Sequence, residues 1–313
     1  MSTVAVPRPL ANGRVGWPWD SAESSAVSDP DANWPRITIV TPSFNQGLFL
    51  EETIRSVLMQ GYPNLEYLIL DAGSNDNSLA IIQHYAPHLA GWESAPDNGQ
   101  ADAINRGFAK ASGSILAWLN SDDTYLPETL LTIGKLFRQR PDVQLAYGEG
   151  WYVNEQSERL EPCRFVRRHI SDTYLANRDP ILQPAAFWRR ELWNGVGPLN
   201  TDLNWVFDWE WFIRAHKVAP FHYIPEALAN YRIHPAAKTR TGTLDRQLEH
   251  AGVTRKYGAW WHPNNVVQQL RRFEHGSRAV TKSWPGFLSS PMNGLSAMPR
   301  VIAERVLHGT YMP

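Results

Sequence analysis

Apolar and polar positions first fall into a regular pattern at Arg36. "ITIVTPSF" is a β-branched run stopped by Pro42, and "LFLEETIRSVLMQ" then carries Leu48, Ile54, Val57 and Leu58 at helical spacing. "LEYLIL" predicts a second buried strand, "DAGSNDNS" a turn and "LAIIQHYA" a helix. "ADAINRGFAKA" predicts another helix, ahead of the apolar "SILAWL" and an acidic turn. Strands alternating with helices at this spacing predict βαβ units, an α/β fold with a mostly parallel sheet covered on both faces. Ligands of such sheets bind at the carboxyl ends of the strands. Ser43/Asn45, Asp71/Ser74/Asp76 and Asn120/Asp122/Asp123 all fall at those ends, so the pattern predicts one crevice fed by three strands.

The flanks read differently. Residues 1–35 are rich in Pro, Ser, Ala and Asp without apolar periodicity and are expected to form a poorly ordered leader. Residues 142–240 hold less regular pieces, "VQLAYGEG", "ILQPAAFWRRELW", "WVFDWEWFIRAHK" and "FHYIPEALANYRIHP", expected to form α+β elaboration. From about residue 243, "LDRQLEHAGVTRKY" and "NNVVQQLRRFEH" predict helices, and the last 30 residues are loosely patterned.

Composition narrows the function. The 313 residues can bury a substantial core. With 30 basic and 31 acidic side chains there is no net field to draw in nucleic acid or an anionic membrane, so binding specificity must be local. One cysteine, Cys163, excludes an intramolecular disulfide and a cysteine-built metal site. No segment approaches the roughly 18 apolar residues of a membrane span, and the N-terminus lacks a signal-like apolar core, which predicts a cytoplasmic protein. The 14 tryptophans suit a core, but those near Asp208 are also candidates for an aromatic platform under a sugar ring.

Each strand-end motif admits a bland reading. In "VTPSFN", Ser43 or Asn45 could simply cap the next helix. In "LDAGSNDNS", Asp71, Ser74 and Asp76 could form an Asx turn and cap, with Gly73 supplying positive φ. Neither a G-x-G-x-x-G fingerprint nor a P-loop is present, so a nucleotide would have to be held by side-chain hydrogen bonds and a metal. The adjacent carboxylates in "NSDD" are costly beside a buried strand unless a cation or hydrogen bonds compensate them. Mg²⁺ or Mn²⁺ suits such a site, because it takes hard oxygen ligands and needs few from the protein when a substrate brings phosphates. Asp123 or Thr124 could alternatively cap the helix beginning near Pro127.

In motif order, residues from about Pro35 to Lys238 resemble the family 2 glycosyltransferases, whose domain is the nucleotide-diphospho-sugar transferase (GT-A) fold. By that resemblance Thr41, Ser43 and Asp71 lie by the nucleotide base and ribose, joined by Asn45 on the same loop. "DNGQADAINRGFAKASGSILAWLNSDD" is similar to the segment leading to the acidic metal motif, which implies that Asp97, Gln100, Asp102 and Asn105 border the donor. Asp122 would be a metal ligand, with Asp123 beside the donor. Asn120 stands in place of the first aspartate of the usual D-x-D; it can bond a ribose hydroxyl or a metal-bound water but adds no charge. "FDWEWF" resembles the acceptor-side segment, making Asp208 the general base, Glu210 a weaker candidate and Trp209 an acceptor neighbour. "YRIHPAAKT" resembles the closing motif and makes His234 a metal or diphosphate contact.

The resemblance implies an inverting transfer of a sugar from a UDP, dTDP or GDP donor to an acceptor hydroxyl, assisted by Mg²⁺ or Mn²⁺, as in glycan biosynthesis. It implies a catalytic domain over 36–240, with a nucleotide-sugar half to about 125 and an acceptor half from about 126, and the helical pattern that follows makes 241–313 a C-terminal extension. A nucleotidyltransferase and a catalytically silent sugar-nucleotide-binding protein of the same fold are the alternatives. The first would need a basic, Gly-rich loop after the first strand, and "TPSFNQG" has no Lys or Arg.

Overall fold

Along the chain run β1 (Ile37–Ser43), α1 (Leu50–Leu58), β2 (Leu65–Asp71), α2 (Ser78–Tyr85), β3 (Gly91–Ser94), α3 (Gln100–Lys110) and β4 (Ile115–Trp118). There follow β5 (Thr124–Tyr125), α4 (Thr129–Gln139), β6 (Leu145–Val153), β7 (Arg159–Pro162), α5 (Asp172–Leu175), β8 (Ala186–Arg189) and α6 (Arg190–Val196). α7 (Phe207–His216), β9 (Phe221–Arg232), α8 (Lys238–Thr241) and α9 (Thr243–Tyr257) complete the order. The computed structural model describes residues 6–10, 13–20, 33–241 and 243–258. The helix expected over "NNVVQQLRRFEH" lies outside the described residues. The chain divides into two units, one of residues 1–170 and 180–241, the other of 171–179 and 242–313.

In the first unit the strands form one sheet in the order β3-β2-β1-β4-β8-β6-β9-β5, with β7 on β6. The first four are parallel; β8 reverses the direction against both β4 and β6. The result is the expected α/β architecture, a parallel half continued by a mixed one. β1 is buried along its whole length, as a strand covered on both faces must be, which explains its unbroken apolar and β-branched run.

Register carries the strand ends to one place. Ser43 pairs with Asp71 and Asp71 with Ser94, so three carboxyl ends stop level with one another. α3 lies close over β1 and β2 because residue 107 is glycine: a Cβ there would fall 2.5 Å from Val40 Cγ1. That close approach fixes where Gln100, the first residue of α3, meets the strand ends. Most of the tryptophans among the described residues are core. Trp188 packs 5.3 Å from Trp118 and 4.8 Å from Trp211 between ring centroids, which pins α7 against the sheet.

Two stretches of the expected leader have defined partners. Residues 6–10 and 13–20 lie over α1, whose Glu51, Glu52 and Arg55 are buried and need partners. Arg55 donates to the carbonyls of Pro7 and Pro18, Glu51 accepts from the amide of Leu10, and Arg14 pairs with Glu52 at 3.1 Å. Charged side chains of the helix hold this segment, together with the buried Trp19 and with Val6, which packs against the core; so few apolar anchors make no periodicity. Among the described residues, no helix is long and apolar enough to cross a membrane.

Candidate active site

Beyond β4 the chain turns through Asn120–Asp123, the amide of Asp123 bonding the carbonyl of Asn120 at 3.1 Å. The two carboxylates are held differently. Asp123 is 2% exposed, and its Oδ1 accepts the backbone N–H of Arg232 at 2.9 Å. Burial, with the neighbouring Asp122 charge adding to it, pushes the Asp123 carboxyl well above the usual carboxylate range. Asp122 is the more open of the two in a cleft of about 660 Å³ that both residues line. Its Oδ2 lies 3.0 Å from His234 Nε2, and Arg232 Nε holds its backbone carbonyl at 2.8 Å. One carboxylate thus braces the turn from inside and leaves the other presented.

Asn120 sits in a chain of amides. Gln100 Nε2 donates to Asn120 Oδ1 at 2.7 Å, and Asn120 Nδ2 donates to Gln183 Oε1 at 3.4 Å. Gln183 in turn bonds the carbonyl of Trp118 at 2.9 Å, and Lys238 Nζ bonds Gln100 Oε1 at 3.1 Å. Ser43 Oγ at the end of β1 also lines the cleft and is buried without a hydrogen-bond partner among the protein atoms. Asp97 lines it too; burial, and after it the Asp102 and Asp71 charges, raises its carboxyl despite the Gly99 amide at 2.8 Å.

Asp208 enters the cleft from the first turn of α7. Residues two apart on a helix point about 200° away from each other, so Glu210 faces elsewhere. It is 2% exposed and pairs with Arg214 Nε at 2.9 Å.

The structure therefore divides the expected site residues. Ser43, Asp97, Gln100, Asn120, Asp122, Asp123 and Asp208 line one cleft, with His234 directly behind Asp122. Others lie off its walls. Thr41 is fully buried and its hydroxyl meets Tyr67 at 3.0 Å. Asn45 Oδ1 accepts the Asn75 amide, stapling two loops. Asp71 is occupied by the amides of Gly73 and Ser74 and the hydroxyls of Ser74 and Ser94. Asp102 caps the start of α3 through the Asn98 amide, and Asn105 is tied to the backbone of Leu199. Trp209 is core at 2% exposure, and Glu210 is spent on Arg214. Gln183, Lys238 and Tyr231 line the cleft without having been singled out; the first stands in "QPAA" and the second four residues after His234 in "HPAAK".

Asp122 and His234 fit a divalent cation. A carboxylate oxygen and an imidazole nitrogen 3.0 Å apart have the spacing of adjacent ligands about 2.1 Å from an octahedral ion. Among the described residues no group of three or more His, Cys, Asp or Glu could hold a metal, so the remaining ligands would have to come with a substrate.

The model of "Glycosyl transferase family 2" matches residues 38–187, from β1 through β8. Over 203 residues the chain is 30% identical to the PGL/p-HBAD biosynthesis glycosyltransferase of Mycobacterium bovis (strain BCG / Pasteur 1173P2), which covers 63% of this chain and 77% of that one. The chain belongs to glycosyltransferase family 2. It is a glycosyltransferase, and its solved structural neighbours have the GT-A fold. Staphylococcus aureus TarS 1-349 in complex with UDP-GlcNAc superposes with a TM-score of 0.57 at 16% identity, over 70% of this chain and 66% of that one. The mannosyltransferase PcManGT from Pyrobaculum calidifontis, in complex with GDP-Man and Mn²⁺, does so with 0.55 at 16% identity over 90% of both chains.

Proposed function

We propose that this glycosyltransferase moves a sugar from a nucleoside-diphosphate sugar to an acceptor hydroxyl with inversion, with Asp208 as general base and Asp122 with His234 holding Mg²⁺ or Mn²⁺. One observation carries the reading: Asp122, after β4, and Asp208, at the start of α7, line the same cleft. Two solved relatives, bound to UDP-GlcNAc in one case and GDP-Man with Mn²⁺ in the other, support a sugar nucleotide as donor.

Ser43 and Asp97 are the groups nearest the β1 and β3 ends and would meet the nucleoside, while Asn120, held by Gln100 and Gln183, would meet ribose or phosphate. When bound, the cation offsets the charge that accumulates on the departing diphosphate. Asp208 takes the hydroxyl proton as the acceptor oxygen attacks the anomeric carbon and the bond to the diphosphate breaks. Such help contributes roughly 10² to 10⁴ in rate. A base must be ionised, and the first turn of a helix favours the ionised form. The catalytic part comprises residues 36–240, with the donor half ending near 125, and 241–313 is an extension to it.

A thermal-shift screen of UDP, dTDP and GDP sugars with and without Mn²⁺ tests the reading, because a ligand of the native state raises its melting temperature. One donor class is expected to stabilise the protein, and more so with Mn²⁺. No shift with any of them contradicts it.

A further inference from the structure

We propose that Lys238 is the protein's own cation for the donor diphosphate, a phosphate-binding residue on the wall of the cleft that Asp122 also lines. The inference deepens the donor reading above and rests on it.

The charge on the cleft walls leads to this assignment. The cleft presents the acids Asp97, Asp122 and Asp208, and Lys238 is the only basic residue lining it among the described ones. A nucleoside diphosphate is a polyanion, and a wall of carboxylates repels it unless cations intervene. A metal on Asp122 meets part of that need. The rest falls to whatever fixed positive charge the wall offers.

Lys238 is placed and oriented for the task. The segment after β9 turns back on itself, the amide of Ala237 bonding the carbonyl of His234 at 3.0 Å. This turn puts His234 on Asp122 at its beginning and Lys238 on Gln100 at its end. Lys238 Nζ sits over the Phe207 ring, 5.4 Å from its centroid, and bonds the side-chain Oε1 of Gln100 at 3.1 Å. Gln100 passes the orientation on, its amide nitrogen donating to Asn120. The ammonium is thereby held beside the residue that replaces the first aspartate of the family's acidic motif. An aspartate at 120 would add a further negative charge next to the phosphates; asparagine leaves the nearby ammonium to act on them.

The test is calorimetric titration of the full chain with UDP against UMP, and with GDP against GMP, in Mn²⁺ buffer. The wild type is expected to bind the diphosphate of one pair more tightly than the monophosphate. Lys238→Met should weaken that diphosphate by about 10- to 100-fold, the range of a charged hydrogen bond lost from a phosphate, and leave the monophosphate within about twofold. Lys238→Arg should stay within about threefold of wild type for both. Monophosphate binding reports that each variant is folded. The proposal is overturned if the Met variant binds the diphosphate as wild type does, if it weakens both nucleotides equally, or if the Arg variant falls as far as the Met variant. A wild type that binds none of the four nucleotides, nor dTDP, overturns the donor reading itself, and this inference with it.

Discussion

Asp122 Oδ2 and His234 Nε2 lie 3.0 Å apart although 112 positions separate them in the chain. The contact joins the turn after β4 to the segment after β9, and Arg232 reinforces it by bonding the carbonyl of Asp122 and, through its own amide, the side chain of Asp123. The ring of His234 packs 4.7 Å from Phe49, so the imidazole is held by its face as well as its nitrogen.

From this pair comes the first prediction. Asp122→Ala should abolish transfer and remove the Mn²⁺-dependent part of nucleoside-diphosphate binding, with the fold intact. His234→Ala should raise the Mn²⁺ concentration needed for half-maximal binding by about 10- to 100-fold. Titration of UDP and GDP in Mn²⁺ and in EDTA measures both. Equal affinity in the two buffers for the wild type would remove the metal from the account.

Asp71 should behave as a structural residue. It accepts from two amides and one hydroxyl of the loop that follows β2, and from the Ser94 hydroxyl at the end of β3. Asp71→Ala strands those donors, at about 1 to 3 kcal/mol for each left unpaired. Urea unfolding should show a loss of stability of that order or more. A variant as stable as wild type, with donor affinity alone reduced, would return Asp71 to direct contact with the nucleotide.

How much of this was legible in the chain depended on how local the determinants were. β1, β2 and β4 are recognisable because a strand buried on both faces must be apolar throughout, and the polar residues after them stand out by contrast. Within those clusters, each side chain's destination is set by distant partners. Thr41 is consumed by Tyr67, whereas Ser43, two residues on in the same strand, is left for the cleft. Lys238 is oriented by Gln100 across 138 positions, and nothing in its own neighbourhood announces this. Asp208 and Glu210 could be told apart because helix geometry alone separates them. The segment over α1 escaped the pattern because it docks on Glu51, Glu52 and Arg55 through backbone and charge.

Stability should respond to acid through Glu66. Burial alone would raise its carboxyl, but hydrogen bonds from Ser112 and Thr38 and the Arg36 charge hold it below its ordinary value. A carboxyl lower in the folded than in the unfolded chain contributes stability fully above its unfolded value, about 4.3, and loses it as pH falls through the folded value. Wild type should therefore lose more unfolding free energy than Glu66→Gln on going from about pH 6 to pH 3. Parallel curves in denaturant titrations across that range would contradict this.

The most direct test of the central claim is the turnover number of Asp208→Asn, measured beside its affinity for the donor. Asparagine keeps the size of the side chain and cannot take a proton. Turnover is expected to fall by about two orders of magnitude or more, with the donor dissociation constant nearly unchanged. Glu210→Gln should cost far less turnover, because Glu210 faces Arg214 and not the cleft. Wild-type turnover in Asp208→Asn, or a greater loss in a folded Glu210→Gln, would contradict the assignment of Asp208 as the base.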